Sequence, residues 1–326
     1  MKENGKIIKP TVAIITGNGF DRDLGLPSSF SDFARSNEWK DLTMAYGVYQ
    51  SRTDMEMSLL WHLNNSIKPN WFDIEEAIHQ FVKNHPNVSE EEAYNIRKEF
   101  DGLTWAFHRY LLRVTKDFKA AEEKLAYKFL SLLHTCPVNI MDYTFNYTKP
   151  ENFLEKQPEP QEQFHFDRRY VHGSLDNKDI IIGCDIQKDE EVNRPLSFMY
   201  KYNMLKETNF INVHLAEVRE VIFFGHSINE IDFCYFREFF KKASSSHNPH
   251  LDVTIITWDE DSERYIKDNI RSQGISVTDL YNNLTSFIFI HTSKIYNGDK
   301  EETKKWEDFV LRIIEDAKTE YDKKTL

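Results

Sequence analysis

Residues Ile14–Phe33 read I-I-T-G-N-G-F-D-R-D-L-G-L-P-S-S-F-S-D-F. The stretch closes a short apolar run, Val12–Ile15, turns through Gly17-Asn18-Gly19 and ends in a helix-start pattern after Pro27. An apolar strand, a glycine turn and a helix is a common way to bring backbone N–H groups up to a phosphate. Ser29, three residues before Asp32, has the pattern of a helix N-cap with an acidic first turn. Pro27 sits just ahead of it, where a missing N–H costs nothing. A hydride-transferring dehydrogenase would carry G-x-G-x-x-G, but the third glycine of that pattern falls on Arg22.

Downstream, the sequence turns helical. Met55–Leu63 predicts a helix, and Asp73-Ile74-Glu75-Glu76 predicts a capping box at the start of another. A second box, Ser89–Glu92, opens a long helix in which Ala93, Ile96, Phe100, Leu103, Phe107, Leu111 and Val114 recur at spacings of 3 or 4. Ala126, Phe129, Leu130 and Leu133 predict one more. These segments define a helical insertion over residues 37–134, set into a Rossmann-like core of residues 1–36 and 135–326.

Strand signals resume at Val138–Met141 and continue through Tyr170–Gly173, Ile180–Gly183, Val221–Phe224, Val253–Ile256 and Phe287–Ile290. Helical patterns fall at Leu196–Val218, after Asn229, at Ser262–Ser272 and at Glu301–Ile314, the last packing Trp306, Phe309, Ile313 and Ile314. Short continuous apolar strands alternating with helices are the pattern of an α/β fold whose parallel sheet is covered by helices on both faces.

A net charge of −12 argues against nucleic acid held on a broad basic face, although oriented N–H dipoles can still bind a small nucleotide inside an acidic protein. Hydrophobic content of 40% supports a filled core. There is no apolar h-region near Met1 and no apolar run close to the ~20 residues of a membrane span, so the expectation is a cytoplasmic protein without a membrane partner. Cys136, Cys184 and Cys234 are far apart and read as buried thiols. The acidic pairs Asp21-Arg22-Asp23 and Asp259-Glu260-Asp261 lack a histidine partner and read as turn carboxylates, so no metal is expected.

Ligands of an open parallel sheet bind beyond the carboxyl ends of its strands. Four polar motifs fall at such places: Gly17-Asn18-Gly19-Phe20-Asp21, Thr144-Phe145-Asn146-Tyr147, His172-Gly173 and Gly225-His226-Ser227. Their order resembles the sirtuin nucleotide site, with its G-A-G-I-S-x-x-x-G-I-P turn, T-Q-N-I-D segment, His-Gly and G-T-S-φ. The wording of the first motif resembles more closely the AbiH family of bacterial abortive-infection, or phage-defence, proteins. Trp71-Phe72-Asp73-Ile74-Glu75 and Gly225-His226-Ser227 with Asp232 resemble that family as well. The four-cysteine zinc module of sirtuin deacylases is absent, and Asp21 and Thr148 replace the sirtuin Ser and Asp, which puts the acyl-lysine channel in doubt.

The resemblance implies an antiviral effector with a sirtuin-like Rossmann core that binds NAD and hydrolyses its nicotinamide–ribose bond, an NAD glycohydrolase. It also implies a phage-derived trigger and assembly into a homo-oligomer through the insertion. Gly17, Asn18, Gly19, Phe20, Thr144, Gly225, His226 and Ser227 would hold the nucleotide. Asn146 would position water and ribose, His172 would bond a ribose hydroxyl or act as a base titrating near neutral pH, and Asp21 would offset the cationic centre. Glu75 is a second carboxylate candidate, read otherwise as a dipole partner on a solvated helix. A binding module that senses a nucleotide without turning it over is the alternative.

Overall fold

The protein is described by a computed structural model covering residues 2–3, 6–7, 11–48, 55–67, 73–155, 166–185, 191–205 and 211–325. Trp71 and Phe72 of the family-like motif lie outside the described residues.

Six parallel strands form the sheet. They are β1 (Val12–Thr16), β2 (Ile140–Thr144), β3 (Phe166–Tyr170), β4 (Glu220–Phe224), β5 (Asn248–Thr257) and β6 (Leu284–His291). Their spatial order is 3-2-1-4-5-6, the doubly wound order whose topological switch point lies between β1 and β4. The central strands β1 and β4 are buried on both faces, Val12–Ile15 and Val221–Phe224 being continuous apolar runs. Ala13 and Ile15 enter one core layer with Val221, Phe223, Val253 and Ile255; Val12 and Ile14 enter the other with Ile222, Phe224 and Ile256.

The helices are α1 (Asn18–Leu24), α2 (Phe30–Phe33), α3 (Asn37–Ala45), α4 (Leu59–Ser66), α5 (Ile74–Asn84), α6 (Glu90–Thr115), α7 (Leu125–Thr135), α8 (Ile211–Leu215), α9 (Arg237–Ser245), α10 (Glu260–Ser272), α11 (Val277–Asn283), α12 (Thr292–Tyr296) and α13 (Lys300–Thr325). Helices α9, α10 and α11 cover the first face of the sheet, while α1, α7 and α13 cover the second. Among the described residues, no helix is long and apolar enough to cross a membrane.

The capping box read at Ser89 is present on α6 with Glu92, and the N-cap read at Ser29 is present on α2, where Asp32 completes a box as well. At α5, Asp73 caps alone: its Oδ1 accepts from the Glu75 and Glu76 N–H groups, and Glu76 turns instead to Gln80. Glycine at position 17 is itself the N-cap of α1, so the glycine turn and the helix are one element.

Several expectations are corrected. Ile180–Gly183 is not a strand; an isolated bridge joins Cys184 to Tyr200. Leu196–Val218 holds two 3-10 turns and the short α8 rather than one helix. Asn229 accepts from the Asp232 N–H, but the turn it caps is 3-10 and the helix begins only at Arg237. Ile314 and Cys234 are exposed. Packing also divides the chain differently from sequence position. Helix α7 belongs to the sheet's second face, whereas Leu175, Ile180, Ile182, Leu196 and Met199 join the core of the insertion with Phe81, Leu103 and Phe107. Residues 173–185 and 191–205 therefore tie the insertion to the strand ends.

Candidate functional site

The strands end in register: Thr16 pairs with Thr144 and Phe224, Thr144 with Tyr170, and Phe224 with Ile256. The residues that follow each end emerge side by side, and they line a cleft of ≈ 640 Å³ at the switch point. Gly17, Asn18, Gly19, Asp21, Asn146, His172, Gly225, His226 and Ser227 all line it, as does Glu75 from α5. Two expected residues do not. Phe20 is buried edge-on against Phe224, at 4.9 Å between ring centroids, in the core. Thr144 is buried at the strand end, and its Oγ1 accepts from the Asn146 N–H at 3.1 Å.

The glycines bring two loops together. A Cβ on Gly19 would lie 2.6 Å from Gly225 Cα, and one on Gly225, where φ is 65°, would meet the Phe20 nitrogen. Three of the N–H groups expected to hold a phosphate are engaged within the protein. Gly17 donates to Phe224 O at 3.1 Å, Gly19 to Gly225 O at 2.8 Å and Phe20 to Gly17 O at 2.9 Å. Positive charge at the cleft comes instead from the exposed side chains of Arg22 and Arg35, which the sequence reading had not singled out.

Asn146 braces the first loop. Its Nδ2 donates to Gly17 O at 3.0 Å and to Asp21 Oδ1 at 3.1 Å, while Thr148 Oγ1 donates to Asp21 Oδ2 at 2.6 Å. Burial nevertheless pushes the Asp21 carboxyl up to about 6, because these hydrogen bonds only partly offset its loss of water. Asp21 is thus mostly ionised at neutral pH and close to the value of an effective base. Asp23, the other half of the acidic pair, accepts from Ala126 N and Tyr296 Oη, and Asp259 caps α10 through Ser262.

Beneath the cleft lies Lys201, whose side chain is 0% exposed. Its Nζ donates to Glu75 Oε2 at 2.7 Å, His172 Nε2 at 3.3 Å and Asp232 Oδ1 at 3.4 Å. Two carboxylates therefore share one ammonium. Burial holds the Glu75 carboxyl up at about 8, while the ammonium and the adjacent imidazoles hold Asp232 below the usual carboxylate range. The pair of carboxyls thus keeps one proton into the neutral range, on Glu75.

The histidines are neutral. Burial, with the Lys201 charge, drives His172 down to about 3, and burial drives His226 down to about 4. The expectation that His172 titrates near neutral pH is overturned. Because an ammonium can only donate, His172 Nε2 is the acceptor and Nδ1 carries the hydrogen. His226 Nδ1 accepts from Ile228 N at 2.9 Å, leaving Nε2–H toward Asp232 Oδ2, 3.8 Å away. Ile228 has φ 46°, a left-handed conformation that a β-branched residue pays for. Such strain beside a cleft is common where a loop's shape serves a ligand.

Lys201 and the aromatic wall opposite, Trp258 and Tyr265, escaped the sequence reading. Lys201 stands where a helical pattern is read but 3-10 turns form, so nothing local marks it as buried. Glu75 is buried rather than solvated, and only its placement two residues after a capping Asp73 hinted at an ordered position.

No curated protein and no solved structure matches the chain. A protein-family model, described as "Bacteriophage abortive infection AbiH", matches residues 13–251. The matched region runs from β1 through Leu251 in β5 and contains the glycine loop, Asn146, His172, Lys201, His226 and Asp232. The chain belongs to the AbiH family of bacteriophage abortive-infection proteins.

Proposed function

We infer that this AbiH protein is an abortive-infection effector whose cleft binds NAD and hydrolyses the nicotinamide–ribose bond. The observation that carries the reading is the meeting, at the switch point of a 3-2-1-4-5-6 sheet, of an Asn-braced carboxylate with a neutral histidine. The cleft has the size of a nucleotide site. Arg22, Arg35 and the Ser227 hydroxyl line the cleft where the pyrophosphate would sit.

In the proposed step the C1′–N1 bond breaks and its electron pair returns to the pyridinium ring, so nicotinamide leaves neutral and needs no acid. A water oxygen bonds to C1′, and its proton passes to the Asp21 carboxylate and on to solvent. Asp21 also stabilises the oxocarbenium-like centre. Asn146 holds Asp21 in place, with its Oδ1 left to orient the water. His172 donates from Nδ1 to a ribose hydroxyl. The role of base thus moves from His172 to Asp21.

The test is a phage challenge of cells expressing the chain, with NAD measured before lysis. Wild type should protect and deplete NAD, while Asp21→Asn should do neither. Protection without loss of NAD would overturn hydrolysis and favour the nucleotide-sensing alternative.

A further inference from the structure

We propose that Trp258 and Tyr265 form a stacking subsite for an amino-bearing purine ring, remote from the bond that is cleaved; this rests on the nucleotide reading of the cleft. Trp258 follows the last residue of β5 and is 57% exposed, and Tyr265, on α10, is 51% exposed. Both line the cleft. Large aromatic side chains left half open to solvent in a concave wall offer a π-face to a planar ring.

The topology fixes which ring. From the end of β2, which carries Asn146, to the end of β5 is three strand spacings through β1 and β4, roughly 14 Å. A ring on Trp258 therefore cannot be the leaving group at Asp21 and Asn146. It is the base at the far end of the dinucleotide, whose binding holds the reacting end in place.

Charge selects the base. Carboxylates of Asp261 and Asp73 line this part of the cleft, each with Oδ1 engaged (by Arg264 and by the N–H groups of α5) and Oδ2 left over, and burial, then Asp73, Glu76 and Glu230, raise the Tyr265 phenol. Such acceptors receive an exocyclic amino group and repel a carbonyl edge, so adenine is preferred over hypoxanthine.

Calorimetric titration with ADP-ribose tests this without any bond being broken. Wild type should bind, Trp258→Phe should keep affinity within about threefold, and Trp258→Ala should lose about 5- to 150-fold. The inosine analogue of ADP-ribose should bind wild type about tenfold more weakly. Equal affinity of Trp258→Ala and wild type, or no binding by wild type, overturns the subsite; equal binding of the inosine analogue overturns the choice of base. Binding of ADP-ribose by a wild type that never cleaves NAD leaves the subsite standing and removes only the hydrolytic reading.

Discussion

The Lys201 cluster makes a quantitative prediction, because one buried ammonium faces two carboxyls. At an effective dielectric constant of 20, Nζ at 2.7 Å from Glu75 and 3.4 Å from Asp232 gains about 6 and 5 kcal/mol of attraction. The two contacted oxygens are at most about 6 Å apart, so ionising both costs about 3 kcal/mol of repulsion or more, besides several of desolvation. The second ionisation brings no net gain, and the two carboxyls act as interchangeable counter-ions. Glu75→Gln replaces a neutral acid by a neutral amide and should cost about 1 kcal/mol. Asp232→Asn should cost little more, because Glu75 then releases its proton and takes over. The double variant strands the ammonium and should cost about 3–5 kcal/mol, more than the sum of the singles. Urea unfolding at pH 7 measures all three, and additivity within about 0.5 kcal/mol would refute the shared-proton account.

The pH dependence follows the same sign. A carboxyl whose folded value is raised from 4.5 to about 8 binds more protons folded than unfolded, so its contribution to stability falls as pH rises across that window. Glu75→Gln should therefore gain on wild type between pH 5 and pH 8.

Other consequences are independent of that cluster. Gly225→Ala adds a Cβ against the Phe20 nitrogen at φ 65° and should cost more than about 2 kcal/mol, whereas Gly274→Ala, also at positive φ (76°) but with nothing within 4 Å, should cost about 1; thermal unfolding compares them. His172 and His226 are held at about 3 and 4, below the 6.5 of free histidine. The unfolded chain thus protonates first, and the stability they add above pH 6.5 is lost as pH falls to about 4; His226→Asn should flatten this acid limb in a pH series of melting curves. Thr148→Val removes a bond that lowers the Asp21 carboxyl, so the acid limb of any Asp21-dependent rate should move to higher pH.

How much the sequence reveals depends on where each residue lies. Five of the six strands were legible because a parallel sheet buried on both faces needs continuous apolar runs, and because the polar residues after those runs must emerge at one edge; β3 was not, since Phe166–Tyr170 carries Asp167, Arg168 and Arg169 and the strand signal is read at Tyr170–Gly173 instead. Asn146, His172 and His226 each follow a strand end by two residues, and strand register does the rest. Lys201 was not legible, since the segment that carries it reads as helix but folds as 3-10 turns, and its burial depends on Glu75, 126 positions away. Phe20 misled for the opposite reason. It sits inside the glycine motif, yet helix α1 starts at Asn18 and turns that side chain into the core. The backbone N–H groups of Gly17 and Gly19 misled similarly, because their acceptors, at the end of β4 and in the turn after it, lie more than 200 residues later. Trp258 and Tyr265 flank and lie within a polar helix start, where aromatic residues carry no local signal.

The central claim is tested most directly by incubating purified protein with NAD, with and without phage lysate as trigger, and following nicotinamide release. Wild type should release nicotinamide, while Asn146→Ala and Asp21→Asn should lose most of the rate, since one unseats the carboxylate and the other neutralises it. No release by wild type under either condition would contradict hydrolysis, and full rates in both variants would contradict the assignment of Asp21 and Asn146.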